Sequence, residues 1–231
     1  MKRFESFKLF QLREIAIGLT FIGGFIDAYT FVQRGHVLAA GQTGNIVFLS
    51  VDIARHNLPG ILTKIATMVF FCLGIIITEI LKHKNNRSHY WRLTSLVAEF
   101  IICLVVGFLP KTVSNLYVVP LLALVMAMQN VSFDQIEGMG YNNVFSTGNL
   151  KKAIIAFKAI IAFSEYFYHK KSNNIVVAKT YFELVLGFSG GAVVSALLQN
   201  WFTIRTIWFV PLLLLLVGGY YTWLLYRRDG I

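Results

Sequence analysis

The sequence contains few of the residues from which soluble enzymes build their sites. Only 14% of its 231 residues are charged, 11 are acidic, and there are two cysteines and five histidines. Soluble domains have about 25% charged residues, so this composition excludes an ordinary soluble enzyme. The high apolar content excludes a disordered chain, and two cysteines are too few for a disulfide scaffold.

Familiar catalytic and metal-binding motifs are missing as well. Cys72 and Cys103 lie within apolar stretches, and no two histidines have the H-E-x-x-H spacing of a zinc enzyme. The sequence has no P-loop, no G-x-S-x-G and no dinucleotide-binding fingerprint. We therefore predict that the protein is not an enzyme and has no catalytic residues, no metal site and no cofactor.

Apolar sequence, in contrast, is abundant. Hydrophobic residues make up 56% of the chain, and the mean hydropathy is +0.64. A helix needs about 20 mainly apolar residues to cross the bilayer core. We predict an all-α integral membrane protein, a single membrane domain over residues 1–231 with six transmembrane helices. The six stretches are Ile15–Val32, Ile61–Leu81, Leu93–Leu109, Leu116–Phe133, Tyr181–Leu198 and Ile207–Tyr226.

The distribution of cations predicts the orientation of these helices. The formal charge is +10, and with a cytoplasmic N-terminus 16 of the 21 Lys and Arg residues fall in inner segments. The positive-inside rule then places both termini of this multi-pass protein in the cytoplasm. We expect the inner segments Lys82–Arg92 and Lys151–Lys179 to contact anionic lipids, which explains the charge without a nucleic-acid partner. The five outer cations are Arg34, Arg55, Lys64, Lys111 and Arg205.

An alternative with eight crossings would add Val37–Ala54 and Val144–Phe163. It would bury Lys151, Lys152 and Lys158 in a span, and each charge at mid-bilayer costs at least about 2.5 kcal/mol. Six crossings are therefore favoured.

A short motif occurs twice, once in each half of the chain. Gln42–Asn45 reads Gln-Thr-Gly-Asn after the first apolar stretch, and Ser146–Asn149 reads Ser-Thr-Gly-Asn after the fourth. Upstream, Gly24–Asp27 aligns loosely with Ala127–Asn130. A three-span unit that occurs twice has opposite orientations in the membrane, as in many secondary transporters. We therefore predict inverted three-helix repeats at residues 12–110 and 114–226.

The two Thr-Gly-Asn triplets have the composition of helix N-termini. Thr or Asn can accept hydrogen bonds from the free backbone N–H groups there, so we predict a short capped helix after spans one and four. Two interpretations remain open. The helices are re-entrant, with N-terminal ends facing a central site, or they are interfacial, with Lys151 and Lys158 of the second facing water.

These motifs resemble those of a known family. Gly23–Phe31 followed by Gly41–Asn45 is similar to the first half of the YoaK-type bacterial membrane proteins, a family with a domain of unknown function. Met126–Asn130 and Ser146–Asn149 resemble its second-half pattern. The resemblance covers nearly the whole chain. It implies about six spans in a bacterial cytoplasmic membrane, and it implies no substrate.

Ionisable and amide side chains within the spans are the candidate site. Asp27 lies in the first span and Glu99 in the third, where ionisable groups usually have a function. Asp27 could carry a proton or pair with a cation, or it could make a structural hydrogen bond. The residues that we predict to line a solute or ion path are Asp27, Thr43, Gly44, Asn45, Glu99, Gln129, Asn130, Thr147, Gly148 and Asn149.

Small residues in two spans predict close helix packing. Gly23 and Gly24 lie in the first span, and Gly187, Gly191 and Ser195 have small-xxx-small spacing in the fifth. The packing could be within one chain or between copies in a homo-oligomer.

The sequence favours a secondary transporter or permease for a small solute. Helix N-termini at the two triplets would favour an anionic solute, and Asp27 could couple a proton. One alternative is a membrane enzyme that acts on a lipid headgroup with Glu99 and Asp27 as acid and base. Another is a non-catalytic helper that binds a partner through Lys151, Lys152 and Lys158.

Overall fold

The computed structural model describes residues 9–84, 91–162 and 168–229, and of residues 159–162, 168–173, 228 and 229 it describes the backbone only. Parts of both predicted lipid-binding basic segments lie outside these residues. In the part described, the chain is helical apart from short connections and one hairpin. The helices are α1 (Arg13–Gln33), α2 (Gln42–Ala54), α3 (Leu58–Lys84), α4 (Trp91–Phe108), α5 (Asn115–Ser132), α6 (Ser146–Ala162), α7 (Tyr168–Phe202) and α8 (Phe209–Asp229).

Three short elements complete the fold. Short 3₁₀ helices precede α1 at Leu9–Gln11 and α8 at Thr203–Trp208. Two antiparallel strands of two residues, β1 (Gln135–Ile136) and β2 (Met139–Gly140), form a hairpin after α5. The sequence analysis missed this hairpin, because strands of two residues are too short for an alternating pattern.

Within the described ranges, five helical stretches are long and apolar enough to cross a membrane, so the chain is a mainly helical, multi-pass membrane protein. Four of them are α1, α3, α4 and α5, which match the first four predicted spans. The fifth runs over residues 174–227 and contains both remaining predictions, 181–198 and 207–226. Thr203 interrupts it between α7 and α8, with a φ of 49° that a regular helix cannot adopt.

The bundle is built around α1 and α5. In these two helices 67% and 61% of the apolar window is buried, against 28% in α3 and 39% in α4. Helix α1 packs along α7, α5 packs along α3, and α8 lies against α4 and α1. The outer faces carry large exposed apolar side chains such as Ile65, Val69 and Ile76. An apolar surface of this extent is typical of contact with lipid.

Small residues allow two close helix crossings. Where α1 crosses α7, a Cβ atom on Gly24 would collide with the backbone oxygen of Phe188, and one on Gly191 with that of Phe21. The two helices therefore meet backbone to backbone through the same Phe-x-x-Gly pattern. In membranes such close contact replaces the hydrophobic driving force between helices.

The second crossing, between α3 and α5, has the same form. A Cβ atom on Gly74 would collide with the backbone oxygen of Leu124 and would approach the Cβ atom of Ala127 to 2.9 Å. Phe71 precedes Gly74 by three residues, as Phe188 precedes Gly191. The third helix of each half thus crosses the first helix of the other half.

The short helices α2 and α6 begin part way along the bundle rather than at its ends. The backbone oxygen of Asn143, just before α6, lies against Gly23, the central residue of α1. The ring of Phe145 is 6.1 Å from that of Phe71, the central residue of α3. Before α2, the N–H of Ala40 reaches Asp27, about 9 Å inside the end of α1. From these starts α2 packs on α3, and α6 packs on α7.

We name the two ends of the bundle after two arginines. At the Arg13 end α1 and α4 begin, and the guanidinium of Arg92 lies 3.7 Å from the ring centre of Phe10. At the Arg34 end α1 and α4 finish and α3 and α5 begin. The positions of the polar residues along the bundle are measured from these two ends.

Candidate functional site

The asparagines of the two triplets make the same unusual contact. Asn45 Oδ1 accepts from the N–H of Leu38 at 2.9 Å, and its Nδ2 donates to the backbone oxygen of Leu38 at 2.7 Å. Asn149 does the same with Asn142, at 3.3 and 2.6 Å. Both side chains are buried, with 0% and 1% exposed. Each amide thus holds the backbone seven residues upstream.

For α2, the predicted capping by the triplet is wrong in its mechanism. The helices do begin at Gln42 and Ser146, but the N-cap of α2 is Gly41, which has no side-chain oxygen to offer. Asn45 uses its amide on Leu38 instead. The reason is that the upstream turn folds back over the first turn of the helix, so its backbone groups compete for the amide.

The other members of the triplets point away from the interior. Thr43, Thr147 and Gly148 are exposed, and Gly44 is half-buried. A Cβ atom on Gly44 would meet Leu38 Cδ1 at 2.8 Å, whereas one on Gly148 would have no atom within 4 Å. Of the two triplets, only the asparagines contribute buried polar groups.

Asp27 is buried beside the turn that precedes α2. Its Oδ1 accepts from the N–H of Ala40 at 2.8 Å, and the N–H groups of Ala39 and Gly41 also face the carboxylate. Thr30, one turn further along α1, accepts from the N–H of Ala39 at 3.2 Å. The first helix and the start of α2 are therefore joined through Asp27.

Glu99 and Gln129, two of the predicted site residues, are in contact. Glu99 in α4 is completely buried, as is Gln129 in α5. With its amide nitrogen toward Glu99, Gln129 donates to both carboxylate oxygens, at 2.7 and 3.2 Å. Asn130, the next residue, is only partly buried.

The two intramembrane carboxylates occupy different depths. Measured along the helices from the Arg13 end, Asp27 lies about 21 Å into α1 and Glu99 about 12 Å into α4. Each has its own partners, Ala40 and Gln129 respectively. The structure therefore does not bring them together as an acid–base pair.

A buried ion pair lies near the Arg34 end, and the sequence analysis missed it. Lys64 in α3 and Asp52 in α2 are 3% and 12% exposed and form a direct salt bridge. Asn57 donates to the other oxygen of Asp52 at 2.9 Å. Burial alone would raise the pKa of Asp52, but the bonds from Lys64 and Asn57 outweigh it and leave the pKa below its ordinary value. The feature of the sequence that could have indicated this ion pair is a lysine, Lys64, within an apolar stretch.

Arg34 is a second residue that the sequence analysis placed only among the outer cations. Its side chain is completely buried at the end of α1, and its Nε donates to the hydroxyl of Tyr29 at 3.2 Å. A buried arginine is costly unless it is paired.

The Arg13 end carries a different ionic cluster. Arg13 forms salt bridges with Glu137 at 2.8 Å and Glu183 at 3.4 Å and donates to the hydroxyl of Thr180 at 2.6 Å. This cluster ties the start of α1 to the β1–β2 hairpin and to α7. Among the residues described, no group of three His, Cys, Asp or Glu side chains could hold a metal ion.

The predicted packing residues lie where α1 meets its neighbours. Gly23 faces Asn143, Gly24 faces Phe188 and Gly191 faces Phe21, whereas a Cβ atom on Gly187 would have ordinary contact with Ile17 at 3.4 Å. Ser195 is buried and accepts from Gln199 Nε2 at 3.1 Å. All these contacts are within one chain.

Comparison with known proteins identifies relatives over most of the sequence. Residues 15–220 match the model of a family described as "Protein of unknown function (DUF1275)". The chain is 22% identical over 207 residues to the UPF0700 transmembrane protein YoaK of Bacillus subtilis (strain 168), which covers 85% of this chain and 88% of that protein. No solved structure matches. The YoaK-type resemblance of the sequence motifs is thus confirmed.

Proposed function

Because the chain belongs to the DUF1275 family, whose function is unknown, we propose a function from its own geometry. We infer that it is a secondary transporter for a small anionic solute. Its proposed place is a bacterial cytoplasmic membrane, in line with the similarity to a protein of Bacillus subtilis that is named a transmembrane protein.

One observation carries this proposal: ionisable side chains are buried inside the bundle. Asp27, Glu99, Lys64 and Arg34 all lie in or at the ends of helices long enough to cross a membrane, and none is more than 5% exposed. Charges at such depth are expensive, and in membrane proteins they mark solute, ion or proton pathways. A purely structural bundle would have no need of four.

Two short helices that begin part way along the bundle support the same function. We infer that α2 and α6 are re-entrant, since the turn before α6 lies against the middle of α1 and that before α2 reaches Asp27. Their N-terminal ends carry partial positive charge. Helix starts of this kind at mid-membrane bind anionic groups in several transporter folds.

The architecture that we propose has six crossings in two inverted repeats, residues 12–110 and 114–226. Two observations support this symmetry. The crossing of α1 with α7 corresponds to that of α5 with α3, and Asn45 and Asn149 make the same hydrogen bonds to the backbone seven residues upstream. A glycine with a left-handed conformation also precedes each short helix, Gly35 with a φ of 81° and Gly138 with a φ of 80°. Residues 174–227 would then cross twice, with the reversal at Thr203.

The distribution of cations supports an orientation with the Arg13 end and both termini in the cytoplasm. The exposed Lys151, Lys152 and Lys158 of α6 would then lie at the inner leaflet, where anionic headgroups attract them. The Arg34 end would face outward. Of the predicted path residues, Asp27, Glu99 and Gln129 are those that we assign to the path itself, with Asn45 and Asn149 holding its two helix starts.

Transport assays in proteoliposomes test the proposal. The purified full-length chain is reconstituted with a pH-sensitive dye inside, and succinate or inorganic phosphate is added outside. We expect proton movement that depends on the anion and exceeds that of empty liposomes. Asp27→Asn and Glu99→Gln should reduce it, since each removes a group that can carry a proton.

Glu79→Gln is the matched control, because Glu79 is an exposed carboxylate that pairs only at the surface with Lys82. It should transport as the unmodified chain does. The thermal stability of every variant is measured in parallel, so that loss of folding is not taken for loss of transport. If no anion in the assay moves protons, or if a folded Asp27→Asn protein transports normally, the proposal is wrong.

A further inference from the structure

We propose that the Arg34 end contains a binding site for an oxyanion, the carboxylate or phosphate group of a small solute, held by the guanidinium of Arg34. This inference deepens the proposed function. It rests on that function only where it identifies the bound anion with the transported solute. The binding itself follows from the local geometry.

Arg34 is the centre of this site. The side chain is 0% exposed, and only its Nε has a partner, the hydroxyl of Tyr29. Both terminal nitrogens, Nη1 and Nη2, are buried and have no hydrogen-bond partner among the described residues. These two nitrogens form the fork with which arginine binds carboxylate or phosphate through two parallel bonds.

A cavity of about 330 Å³ at this end of the bundle has Arg34 among its lining residues. That volume is at the small end of the range for ligand pockets, about 300–1,000 Å³, so it suits a small solute. Most of its surface is polar, and none of the described residues that line it is acidic. The lining is formed by Arg34, Gly35, Val37, Asn57, Pro59, Gly60, Thr63, Lys111, Thr112, Val113, Ser114 and Asn115.

The electrostatic surroundings favour a negative charge in this cavity. Lys111 is exposed, and no carboxylate of the described residues lines the cavity. Behind the lining, Asp52 lies beside Gly60, and Lys64 neutralises it. The cavity therefore carries the net charge of Arg34 and Lys111.

The start of α5 adds a further positive contribution. Ser114, the N-cap, and Asn115, the first residue of this 18-residue helix, both line the cavity. The N-terminal end of a helix carries partial positive charge and free N–H groups that bind anions. The helix start, Lys111 and Arg34 thus border one space.

Binding is measured on the full-length chain in maltoside micelles, which contain no phosphate. Inorganic phosphate and succinate are titrated separately, and the unfolding temperature is followed by tryptophan fluorescence, with sodium chloride at matched ionic strength as reference. We expect a saturable rise in unfolding temperature with at least one of the two anions, because a ligand that binds only the folded state stabilises it.

Two pairs of variants locate the site. Arg34→Gln should weaken binding by about tenfold or more, the factor expected for loss of a charge-assisted hydrogen bond, whereas Arg55→Gln, an exposed arginine, should not. Lys111→Glu should weaken binding, whereas Lys84→Glu, an exposed lysine at the Arg13 end, should not. If Arg34→Gln does not fold, the lysine pair decides the question alone.

A second arm identifies the source of the anion. Phosphatidylglycerol is added to the micelles, and the titration with phosphate or succinate is repeated. If a lipid headgroup occupies the site, the added anion must compete with it, so the anion concentration at half-maximal effect will rise. An unchanged midpoint indicates a free solute. Either result supports the site. No saturable effect of either anion, or equal binding by each variant and its control, overturns it.

The two proposals fail separately. Saturable binding that depends on Lys111, without transport in proteoliposomes, leaves this site intact and refutes the transport function. Transport that persists in Lys111→Glu and in a folded Arg34→Gln protein, without saturable binding, refutes this site alone.

Discussion

At the scale of single residues, the polar side chains with the best-defined roles hold backbone segments in place. Asn45 and Asn149 each occupy both groups of their amide on a residue seven positions upstream. A buried backbone N–H and C=O must be paired, and an amide can pair both at once. Each asparagine therefore fixes the turn that leads into a short helix.

Removing this amide should destabilise the fold. We expect Asn45→Ala to lower the free energy of unfolding by about 1–3 kcal/mol, since the N–H and C=O of Leu38 lose their partner in a buried place. Ser50→Ala, an exposed position on the same helix, is the control and should have little effect. Thermal unfolding in detergent measures the stability of both variants. If Asn45→Ala is as stable as Ser50→Ala, the amide of Asn45 does not have this structural role.

The ion pair of Asp52 and Lys64 gives a dependence of stability on pH. The pKa of Asp52 in the folded protein lies below the ordinary value of 3.8, chiefly through hydrogen bonds from Lys64 and Asn57 that outweigh burial. A carboxylate with a lowered pKa stabilises the fold above pH 3.8, and this contribution is lost as the pH falls through its folded pKa.

We therefore expect the unfolding temperatures of the unmodified chain and of Asp52→Asn to converge as the pH is lowered from 6 to below 3.8. Lys64→Met should be the more damaging change at pH 6, by about 3–5 kcal/mol, because it leaves a buried carboxylate unpaired. Lys84→Met, at an exposed lysine at the other end of α3, serves as the control. A constant difference across this pH range would contradict the prediction.

At the scale of helices, glycines decide which helices meet. The crossings of α1 with α7 and of α3 with α5 leave no room for a Cβ atom at Gly24, Gly191 or Gly74. The helix backbones approach closely there, so van der Waals contact between them holds the pairs together in lipid. The first helix of each half is thus fixed against the third helix of the other.

A methyl group at these crossings should separate the helices. Gly24→Ala and Gly191→Ala should each destabilise the protein by about 1–3 kcal/mol or more, since the methyl meets a rigid backbone oxygen. Gly219→Ala in α8 is the matched control, with no atom within 4 Å of the added Cβ. It should be neutral or stabilising by up to about 1 kcal/mol, because Ala favours helices. Thermal unfolding of the three proteins distinguishes these results.

At the scale of the whole molecule, the distribution of charged and apolar surface sets how the bundle sits in the membrane. Most of the exposed apolar side chains lie on α2, α3, α4, α6, α7 and α8, whereas α1 and α5 are mostly buried. The membrane therefore surrounds a layer of outer helices. Their ends carry the charges that orient the chain.

Labelling of single cysteines tests the proposed orientation and the six crossings. In a chain with Cys72→Ser and Cys103→Ala, we expect Thr112→Cys and Thr203→Cys to react with an impermeant maleimide on intact spheroplasts. Lys84→Cys should react only after lysis. All three positions are exposed, so their access differs only by side. Labelling of Lys84→Cys from outside would invert the orientation, and protection of Thr203→Cys would remove the reversal between α7 and α8.

Much of this organisation could be predicted from the sequence, but the contacts of the polar residues could not. The apolar runs located α1, α3, α4 and α5, and the Thr-Gly-Asn triplets located the starts of α2 and α6. The sequence also singled out Asp27, Glu99 and Asn45, without indicating their partners. It gave Arg34 and Lys64 only the role of outer cations, since a charge at a helix end is usually solvated.

The sequence by itself determined that this chain crosses a membrane, because helix length and hydropathy are local properties matched to bilayer thickness. It also determined the family, through motifs that lie close together along the chain. Only the tertiary structure decided that Gln129 faces Glu99, that Asn143 lies against Gly23, and that Arg34 borders a polar cavity. These contacts join residues from different helices, and their pairing depends on the glycine crossings that set how the helices meet.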